Sequence, residues 1–404
     1  MEKKNYSLFG LPEKIQFCSR CAISNQRPSS VIEFKNSSDQ KIGINLDQDN
    51  LVCDACKYNE TKKNINWELR EKELLDLLDK HRKPKGYDCI VPGSGGKDSA
   101  YTAHILKYKY KMNPLTVTWA PHMYTDIGWK NFTNWVKVGG FDNVLFTPNG
   151  KLHKLLTKLA FTNLLHPFQP FIIGQKIIGP LFASKFNIPL IFYGENQAEY
   201  GNAVEENSNP KMDEKFFSNT GIENIFLGGL SISQILKEYN FTINDFEPYL
   251  PLPASDLTEN KIEQRYLGYY LKWDPQECYY YAAQNTGFRP NTERTEGSYS
   301  KYSSIDDKID PFHYFFTYIK FGIGRATYDA CQEIRNDKIT REEGIQLIKK
   351  FDNEFPKKYF REFLEYVDIN ENEFWKTVNN FRSPHLWKMI NEKWNIKKTI
   401  FNEK

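Results

Sequence analysis

The chain has 404 residues, of which 54 are Lys or Arg and 51 are Asp or Glu, so its formal net charge is +3. A balance this even excludes a protein that binds nucleic acid or membranes through a broad basic surface. Aromatic residues make up 15% of the chain, which excludes a disordered protein and allows a sizeable core. At about 150 residues per domain, the length predicts two or three domains.

The sequence contains no segment apolar enough to be an export signal or a membrane span. Residues 1–12 are largely polar, and the most apolar later stretch, residues 167–181, is interrupted by Gln169, Gln175 and Lys176. We therefore expect a cytoplasmic protein. Seven cysteines in a chain of this length do not predict a disulfide framework, so their spacing is more informative than their number.

Two CxxC pairs, Cys18 with Cys21 and Cys53 with Cys56, lie in the polar, turn-rich N-terminal part. Four thiolates can hold Zn²⁺ tetrahedrally and leave no open position, so we predict a structural zinc module over residues 1–65. The gap between the pairs exceeds the roughly 15–20 residues of a common zinc ribbon, which argues against that ribbon but not against a metal. An Fe–S cluster and four unligated thiols are the alternatives.

An amphipathic helix is predicted within residues 66–86, where it links this module to the body of the protein. Its apolar face is expected to contain Leu69, Leu74, Leu77 and Leu78, which recur at helical spacing.

From residue 87 onward, short apolar strands alternate with helical segments. Strands are predicted at 87–92, 113–119, 143–146 and 189–194, with helices at 97–111, 129–138, 150–165 and 174–187. This alternation predicts an α/β fold with a parallel, doubly wound sheet, whose ligand sites lie at the carboxyl ends of the strands.

The alternation stops at about residues 200–260, which we interpret as an insertion into a core domain spanning residues 87–290. A strand at 266–273 is predicted to follow, and then a helix whose N-cap is Asp274. Residues 291–404 are expected to form a polar loop and a mostly helical C-terminal region.

The segment 94–99 follows the first strand and begins a helix. It consists of Ser94, Gly95, Gly96, Lys97, Asp98 and Ser99. Glycines let a ligand approach the backbone closely, and a helix N-terminus offers N–H donors to phosphate. The common P-loop has Ser or Thr directly after the lysine, where this chain has Asp98. A carboxylate facing phosphates is expected if it holds Mg²⁺. A glycine-rich turn without chemistry is the alternative, and the complete motif argues against it.

Further candidates lie at the carboxyl ends of other strands. Glu195, Asn196 and Glu199 follow the strand at 189–194 and could bind Mg²⁺, ribose or a sugar, or could simply form an acidic helix N-terminus. Trp119 ends the second strand, where it could stack on adenine or pack in the core.

The C-terminal third carries another group of candidates. Residues 293–308 are dense in hydrogen-bonding side chains, which suits a sugar or nucleotide sugar and also an ordinary solvated loop. The candidate substrate ligands there are Arg294, Glu296, Tyr299 and Lys301. Arg325 follows two glycines and could clamp a phosphate or carboxylate, or form a salt bridge between helices.

The motif SGGKDS resembles the PP-motif of the ATP pyrophosphatases, which have the adenine-nucleotide α-hydrolase-like fold and cleave ATP to AMP and pyrophosphate. The CxxC pairs and the segments 194–202, 266–277, 293–313 and 321–343 make the chain similar to the N-acetyl sugar amidotransferase family over most of its length. That family acts in pathways to amidino sugars, such as pseudaminic and legionaminic acid derivatives and some O-antigen uronic acids.

The resemblance implies an ATP-dependent ligase that converts a sugar acetamido group to acetamidino. It implies that the loop backbone and Lys97 hold pyrophosphate, that Asp98 positions Mg²⁺, and that Ser99 belongs to the same catalytic set. It also implies a separate glutaminase subunit that supplies ammonia, similar to the amidotransferase–cyclase pair of histidine biosynthesis. We find no glutaminase motif, and no cysteine follows Met1; free ammonia is the alternative source.

Two other functions fit parts of the sequence. A PP-loop tRNA thiolase also combines CxxC pairs with this loop, but no CxxC lies after Cys56. A nucleotide-binding regulator without turnover is disfavoured by the intact Lys97, Asp98 and Ser99.

Overall fold

The computed structural model describes residues 6–36, 41–195, 197–200, 209–218 and 221–402. The strands of these residues are β1 (Cys89–Pro92), β2 (Pro114–Trp119), β3 (Asp142–Phe146), β4 (Leu190–Tyr193), β5 (Phe226–Leu227), β6 (Leu230–Ser231), β7 (Glu263–Tyr266), β8 (Trp387–Ile390) and β9 (Lys393–Ile396).

Helices cover much of the rest of the described chain. They are α1 (Asp54–Lys62), α2 (Trp67–His81), α3 (Lys97–His104), α4 (Asp126–Lys137), α5 (Gly150–Leu164), α6 (Gln169–Phe186), α7 (Ile232–Glu238), α8 (Ala254–Glu259), α9 (Leu267–Tyr270), α10 (Pro275–Asn285), α11 (Asp310–Phe321), α12 (Arg325–Arg335), α13 (Arg341–Phe351), α14 (Phe360–Val367) and α15 (Glu371–Asn380). None of them combines the length and the apolar character needed to cross a bilayer.

The central sheet has five parallel strands in the order β3-β2-β1-β4-β7. The chain builds outward from β1 through β2 to β3, and then crosses back to place β4 on the other side of β1. The carboxyl ends of β1 and β4 therefore flank the topological switch point, where open α/β sheets bind ligands. The predicted fold class is confirmed: an α/β parallel sheet with a four-cysteine N-terminal part and a helical C-terminal region.

The predicted strand at 266–273 is wrong. The fifth strand is β7, which ends at Tyr266, and α9 follows it directly. The apolar run suggested a strand, whereas the true edge strand has the polar sequence EQRY. Its Arg265 is held by an ion pair with Glu263 (Nε–Oε1 2.8 Å), which a search for apolar strands cannot detect.

The C-terminal region also contains a hairpin that the helical prediction missed. Strands β8 and β9 pair antiparallel across Asn391 and Glu392, whose φ angles are 47° and 60°. Two central residues with positive φ are typical of the tight turns in two-residue hairpins. In α2, Leu74, Leu77 and Leu78 are buried as expected, but Leu69 is 54% exposed and does not belong to the apolar face.

The N-terminal module packs directly on the C-terminal helices. Arg341 of α13 donates from Nε to the carbonyl oxygen of Cys21 (2.8 Å), and the Ala22 amide donates to Sγ of Cys331 in α12 (3.4 Å). These contacts join segments that are more than 300 residues apart in the sequence. The N-terminal module is therefore packed directly against α12 and α13.

Candidate active site

The SGGKDS loop connects β1 to α3 at the switch point. Gly95 has a φ of +82°, and a Cβ atom there would lie 2.9 Å from Cα of Phe132. A Cβ atom on Gly93 would lie 2.2 Å from Cβ of Ser99. The turn therefore requires glycine for both its backbone conformation and its close packing. The turn leads directly into the N-terminus of α3, and the N–H groups at a helix N-terminus are suited to bind phosphate.

Two cavities meet at this loop. The first, which we call the sheet cavity, has a volume of about 360 Å³ and lies at the carboxyl ends of β1, β2 and β4. It is lined by Ser94, Gly96, Asp98 and Ser99 of the loop, by Trp119, and by Gln175, Lys176, Tyr193, Glu195, Met212 and Tyr266, among others.

Trp119 forms one wall of the sheet cavity. Its ring centroid lies 5.1 Å from that of Phe146 and 5.3 Å from that of Tyr249, so the ring also packs in the core. Its Nε1 is buried without a hydrogen-bond partner. The position of Trp119 is thus compatible with both roles considered from the sequence. The ring packs in the core, and it also lines the cavity, where it could stack on adenine.

The second cavity, which we call the module cavity, has a volume of about 420 Å³. Its lining includes Arg27 and Cys53 from the N-terminal module, Lys97 and Asp98 from the loop, and a face of α12. Its polar lining also includes Glu195, Asp274, Tyr302, Arg325, Gln332, Glu333, Arg335 and Lys338.

Asp98 and Glu195 line both cavities and so form their common wall. Nζ of Lys97 lies 2.6 Å from Oδ2 of Asp98. Burial opposes the charge of Lys97, but the carboxylates of Asp98 and Glu195 outweigh it and raise its pKa. Burial and then the charge of Asp98 raise the pKa of Glu195, although Lys97 opposes the rise.

This wall has carboxylate oxygen atoms, which are the ligands that a hard divalent cation requires. Oδ1 of Asp98 is buried and has no hydrogen-bond partner among the residues that the structure describes. Glu195 lines the same wall as Asp98. Two carboxylates next to a glycine-rich turn at a helix N-terminus fit Mg²⁺, which prefers oxygen ligands.

Other residues predicted from the sequence lie away from the common wall. Asn196 is outside the described residues. Glu199 is buried in an ion pair with Nζ of Lys62 (2.7 Å) and is not among the described residues that line either cavity. Arg294 pairs with Glu354 (Nη1–Oε2 2.6 Å) and lines a separate cavity of about 290 Å³.

The remaining loop candidates also have partners within the protein. Glu296 lines the same separate cavity as Arg294 and accepts hydrogen bonds from two backbone amides of residues 357–358, both at 3.0 Å. Lys301 donates to a carbonyl oxygen of its own loop (3.0 Å), and Tyr299 donates to Oε2 of Glu333 (2.9 Å). Tyr299 thus orients a residue of the module cavity.

Arg325 does line the module cavity, as its predicted role requires. Its Nε lies 3.0 Å from Oδ1 of Asp329, and its guanidinium contacts the Tyr314 hydroxyl and stacks 4.6 Å from the centre of that ring. Burial disfavours its charge, but Asp329 and neighbouring groups outweigh this and raise its pKa. The positive charge of Arg325 is therefore already balanced by a carboxylate of the protein.

The sequence prediction missed several residues of the module cavity. On α12, Tyr328, Gln332 and Arg335 repeat at intervals of three and four, a helical spacing that places them on one face. Asp274 was predicted only as an N-cap; it does accept from the Gln276 amide (2.9 Å), and it also lines the cavity. Arg27 carries no recognisable local signal.

The four cysteines of the N-terminal module form one buried cluster. Their sulfur atoms all lie within 4.8 Å of one another. The Sγ atoms of Cys18 and Cys56 are 3.9 Å apart, and those of Cys21 and Cys53 are 3.8 Å apart. Four thiolates at about 2.3 Å from one tetrahedral ion lie roughly 3.8 Å apart, so this donor set fits a single Zn²⁺-sized ion.

Comparison with known proteins gives a family for the C-terminal part. Residues 296–400 match the family model described as the C-terminal domain of LPS biosynthesis protein WbpG-like proteins. The match includes α11 to α15 and the hairpin β8–β9. Over these residues, about a quarter of the chain, the protein is similar to a lipopolysaccharide-biosynthesis family.

Other similarities are short or distant. A segment of 53 residues is 45% identical to an uncharacterized protein of Methanocaldococcus jannaschii, and the alignment covers 13% of this chain and only 19% of that protein. The fold is similar to NMN synthetase from Francisella tularensis, with 12% identity over 72% of this chain and 94% of that one and a TM-score of 0.31. It is also similar to the U34-tRNA thiolase NcsA from Methanococcus maripaludis, solved with its [4Fe-4S] cluster, with 12% identity over 96% and 93% of the chains and a TM-score of 0.32.

Proposed function

We propose that the protein is an ATP-dependent amidotransferase that converts an acetamido group of a sugar into an acetamidino group and releases AMP and pyrophosphate. The observation that carries this proposal is the common wall of Asp98 and Glu195, beside the SGGKDS loop, between two cavities of similar size. Two substrates that must react with each other require such an arrangement. The match of residues 296–400 to a lipopolysaccharide-biosynthesis domain supports a sugar as the second substrate.

In this proposal ATP occupies the sheet cavity and the sugar occupies the module cavity. The adenine lies near Trp119, and the phosphates lie at the N-terminus of α3, where backbone amides and Lys97 stabilise their charge. Asp98 and Glu195 would hold Mg²⁺, which offsets phosphate charge.

The reaction replaces a poor leaving group with a good one. The acetamido oxygen attacks the α-phosphorus of ATP, and the bond to pyrophosphate breaks. Ammonia then adds to the amide carbon and loses a proton, and AMP leaves with the original oxygen. The chain contributes placement of the two substrates and stabilisation of the developing negative charge, with Lys97 as its main cationic group.

The remaining roles follow from the same assignment. The four-cysteine cluster would hold a structural Zn²⁺, because four sulfurs leave no open position for a substrate. The product would be an amidino sugar of a cell-surface glycan such as lipopolysaccharide or a flagellin glycan, with pseudaminic and legionaminic acid derivatives as candidate products. Ammonia would come from a glutaminase subunit in the cytoplasm.

Product analysis tests this function. The protein is incubated with acetamido sugars, ATP, Mg²⁺ and ammonium, and the expected product is lighter than its substrate by the difference between an oxygen atom and an NH group. Nucleotide analysis should find AMP and pyrophosphate. Asp98→Asn should reduce turnover at least about 100-fold, as loss of a charged group at a reacting centre does, while the protein still folds, as its circular dichroism spectrum would show.

The matched control is Asp79→Asn, a carboxylate on α2 that is 71% exposed and pairs with Arg82. It should leave turnover unchanged. ADP as the product would contradict the assignment of the SGGKDS loop. Transfer of sulfur to tRNA without any amidine would favour the thiolase alternative.

A further inference from the structure

Five nitrogen atoms of side chains that line the module cavity are buried without a hydrogen-bond partner among the described residues. One of them, Nε of Arg325, lies in an ion pair with Asp329. The other four are Nε and Nη1 of Arg27 in the N-terminal module, and Nε2 of Gln332 and Nε of Arg335 in α12. Buried donors without a partner are rare and cost free energy, so these four on one cavity indicate an absent acceptor.

The charges around the cavity support the same conclusion. Three of its cations have carboxylate partners: Lys97 with Asp98 at 2.6 Å, Arg325 with Asp329 at 3.0 Å, and Lys338 with Asp274 at 3.1 Å. Arg27 is only 8% exposed and forms none of the ion pairs found in the described part of the chain. A buried guanidinium without a counter-ion is unfavourable until an anion binds.

Arg335 differs from Arg27 in its surroundings. It donates from Nη2 to the carbonyl oxygen of Glu199 (2.8 Å). Its Nε has no partner among the described residues. Arg335 therefore offers one free donor to the cavity, whereas Arg27 offers two.

We propose that Arg27, Gln332 and Arg335 bind an anionic group of the sugar substrate, either a carboxylate on the sugar or a phosphate of a nucleotide linked to it. The choice of a sugar rests on the proposed function. The donors themselves identify an anion, since Arg and the Gln Nε2 atom can only donate, and a guanidinium matches the paired oxygens of carboxylate and phosphate.

The proposal gives the N-terminal module a role in binding. The Arg27 backbone is fixed on both sides, because its amide donates to the Ser24 carbonyl (3.1 Å) and its carbonyl accepts from the Ile44 amide (2.8 Å). The N-terminal module therefore holds this guanidinium at a defined position on the cavity wall.

Calorimetric titration without ATP tests the site. The probes are N-acetylneuraminate, which carries a carboxylate; UDP-N-acetylglucosamine, which carries a diphosphate; and N-acetylglucosamine, which is neutral. At least one anionic probe should bind at least about tenfold more tightly than the neutral sugar. Arg27→Gln should abolish that preference, and the probe affected identifies carboxylate or phosphate.

Arg20→Gln is the matched control, because Arg20 lies in the same module but its side chain is half exposed and paired with Glu60. It should leave the preference intact. Zinc content and the melting temperature show whether Arg27→Gln folds; if it does not, Gln332→Leu replaces it and should weaken anion binding several-fold.

Two outcomes overturn the proposal: neither anion binds more tightly than the neutral sugar, or the preference survives in Arg27→Gln and in Gln332→Leu. The proposed function is tested independently. If the protein prefers the anionic sugar but forms no amidine, the proposed reaction is refuted and the anion site remains.

Discussion

A neutral histidine joins the N-terminal module to the C-terminal region. His385 accepts at Nδ1 from the Ser383 hydroxyl (2.6 Å) and donates from Nε2 to Oε1 of Gln26 (2.8 Å). Burial and then the charge of Lys397 lower the pKa of His385 to about 4. The ring therefore stays neutral at physiological pH, and protonation would remove the acceptor that Ser383 uses.

This arrangement predicts a pH-dependent stability. In the unfolded chain a histidine has a pKa of about 6.5, so the unfolded state binds the proton first as the pH falls. The free energy of unfolding should therefore decrease between about pH 6.5 and pH 4, with at most about 3 kcal/mol from His385. His385→Gln should flatten this decrease in urea unfolding followed by circular dichroism.

A suitable control is His81→Gln, at the last residue of α2, which should not flatten the pH dependence. Equal slopes for the wild type and His385→Gln would contradict the assignment of a neutral, buried ring.

At the scale of elements, α1 organises the cysteine cluster. Cys53 is the residue before its first turn and Cys56 lies within that turn. The Cys53 amide donates to Sγ of Cys18 (3.3 Å), so the backbone at the start of the helix stabilises a sulfur of the other CxxC pair. Helix N-termini favour thiolates, which are the form that binds metal.

We expect Cys56→Ala to release one Zn²⁺ per chain and to unfold the N-terminal module, because metal binding and folding are coupled in such sites. Elemental analysis measures the metal, and limited proteolysis reports the module. The same change should lower the affinity for the anionic probe, since Arg27 belongs to the module.

Cys89→Ala is the control, since Cys89 is buried in β1 and belongs to no metal-ligand cluster found in the described residues. It should keep the metal. Iron with sulfide in the wild type, or no metal in folded protein, would contradict the zinc assignment.

At the scale of the whole molecule, the proposed reaction needs an ammonia supply that no recognised motif of this chain provides. We expect amidine formation with ammonium alone at high concentration, and with glutamine only when a glutaminase partner is present. Most ammonia is protonated at neutral pH and cannot attack, so direct delivery of NH₃ into a closed site raises its effective concentration.

The measurement compares initial rates with ammonium, with glutamine, and with glutamine plus the partner. Efficient use of glutamine by the isolated chain would show that the chain carries its own glutaminase activity and would contradict the prediction.

Features that depend on neighbouring residues were predictable from the amino-acid sequence. The order of strands and helices around β1, the turn of SGGKDS and the N-cap at Asp274 were predictable, because each follows from local periodicity or from a few adjacent side chains. The pairing of two CxxC motifs was predictable for the same reason, since sulfur ligands come in short, recognisable spacings.

Which charged residues are available to bind a ligand depends on the long-range contacts of the fold. Glu199 pairs with Lys62 and Arg294 with Glu354, partners far away in the sequence, whereas Arg27 is left without a carboxylate on the wall of a cavity. The physical reason is that the charge and hydrogen bonding of a side chain depend on whatever the fold packs beside it. A sequence pattern contains the donor but not its long-range partner.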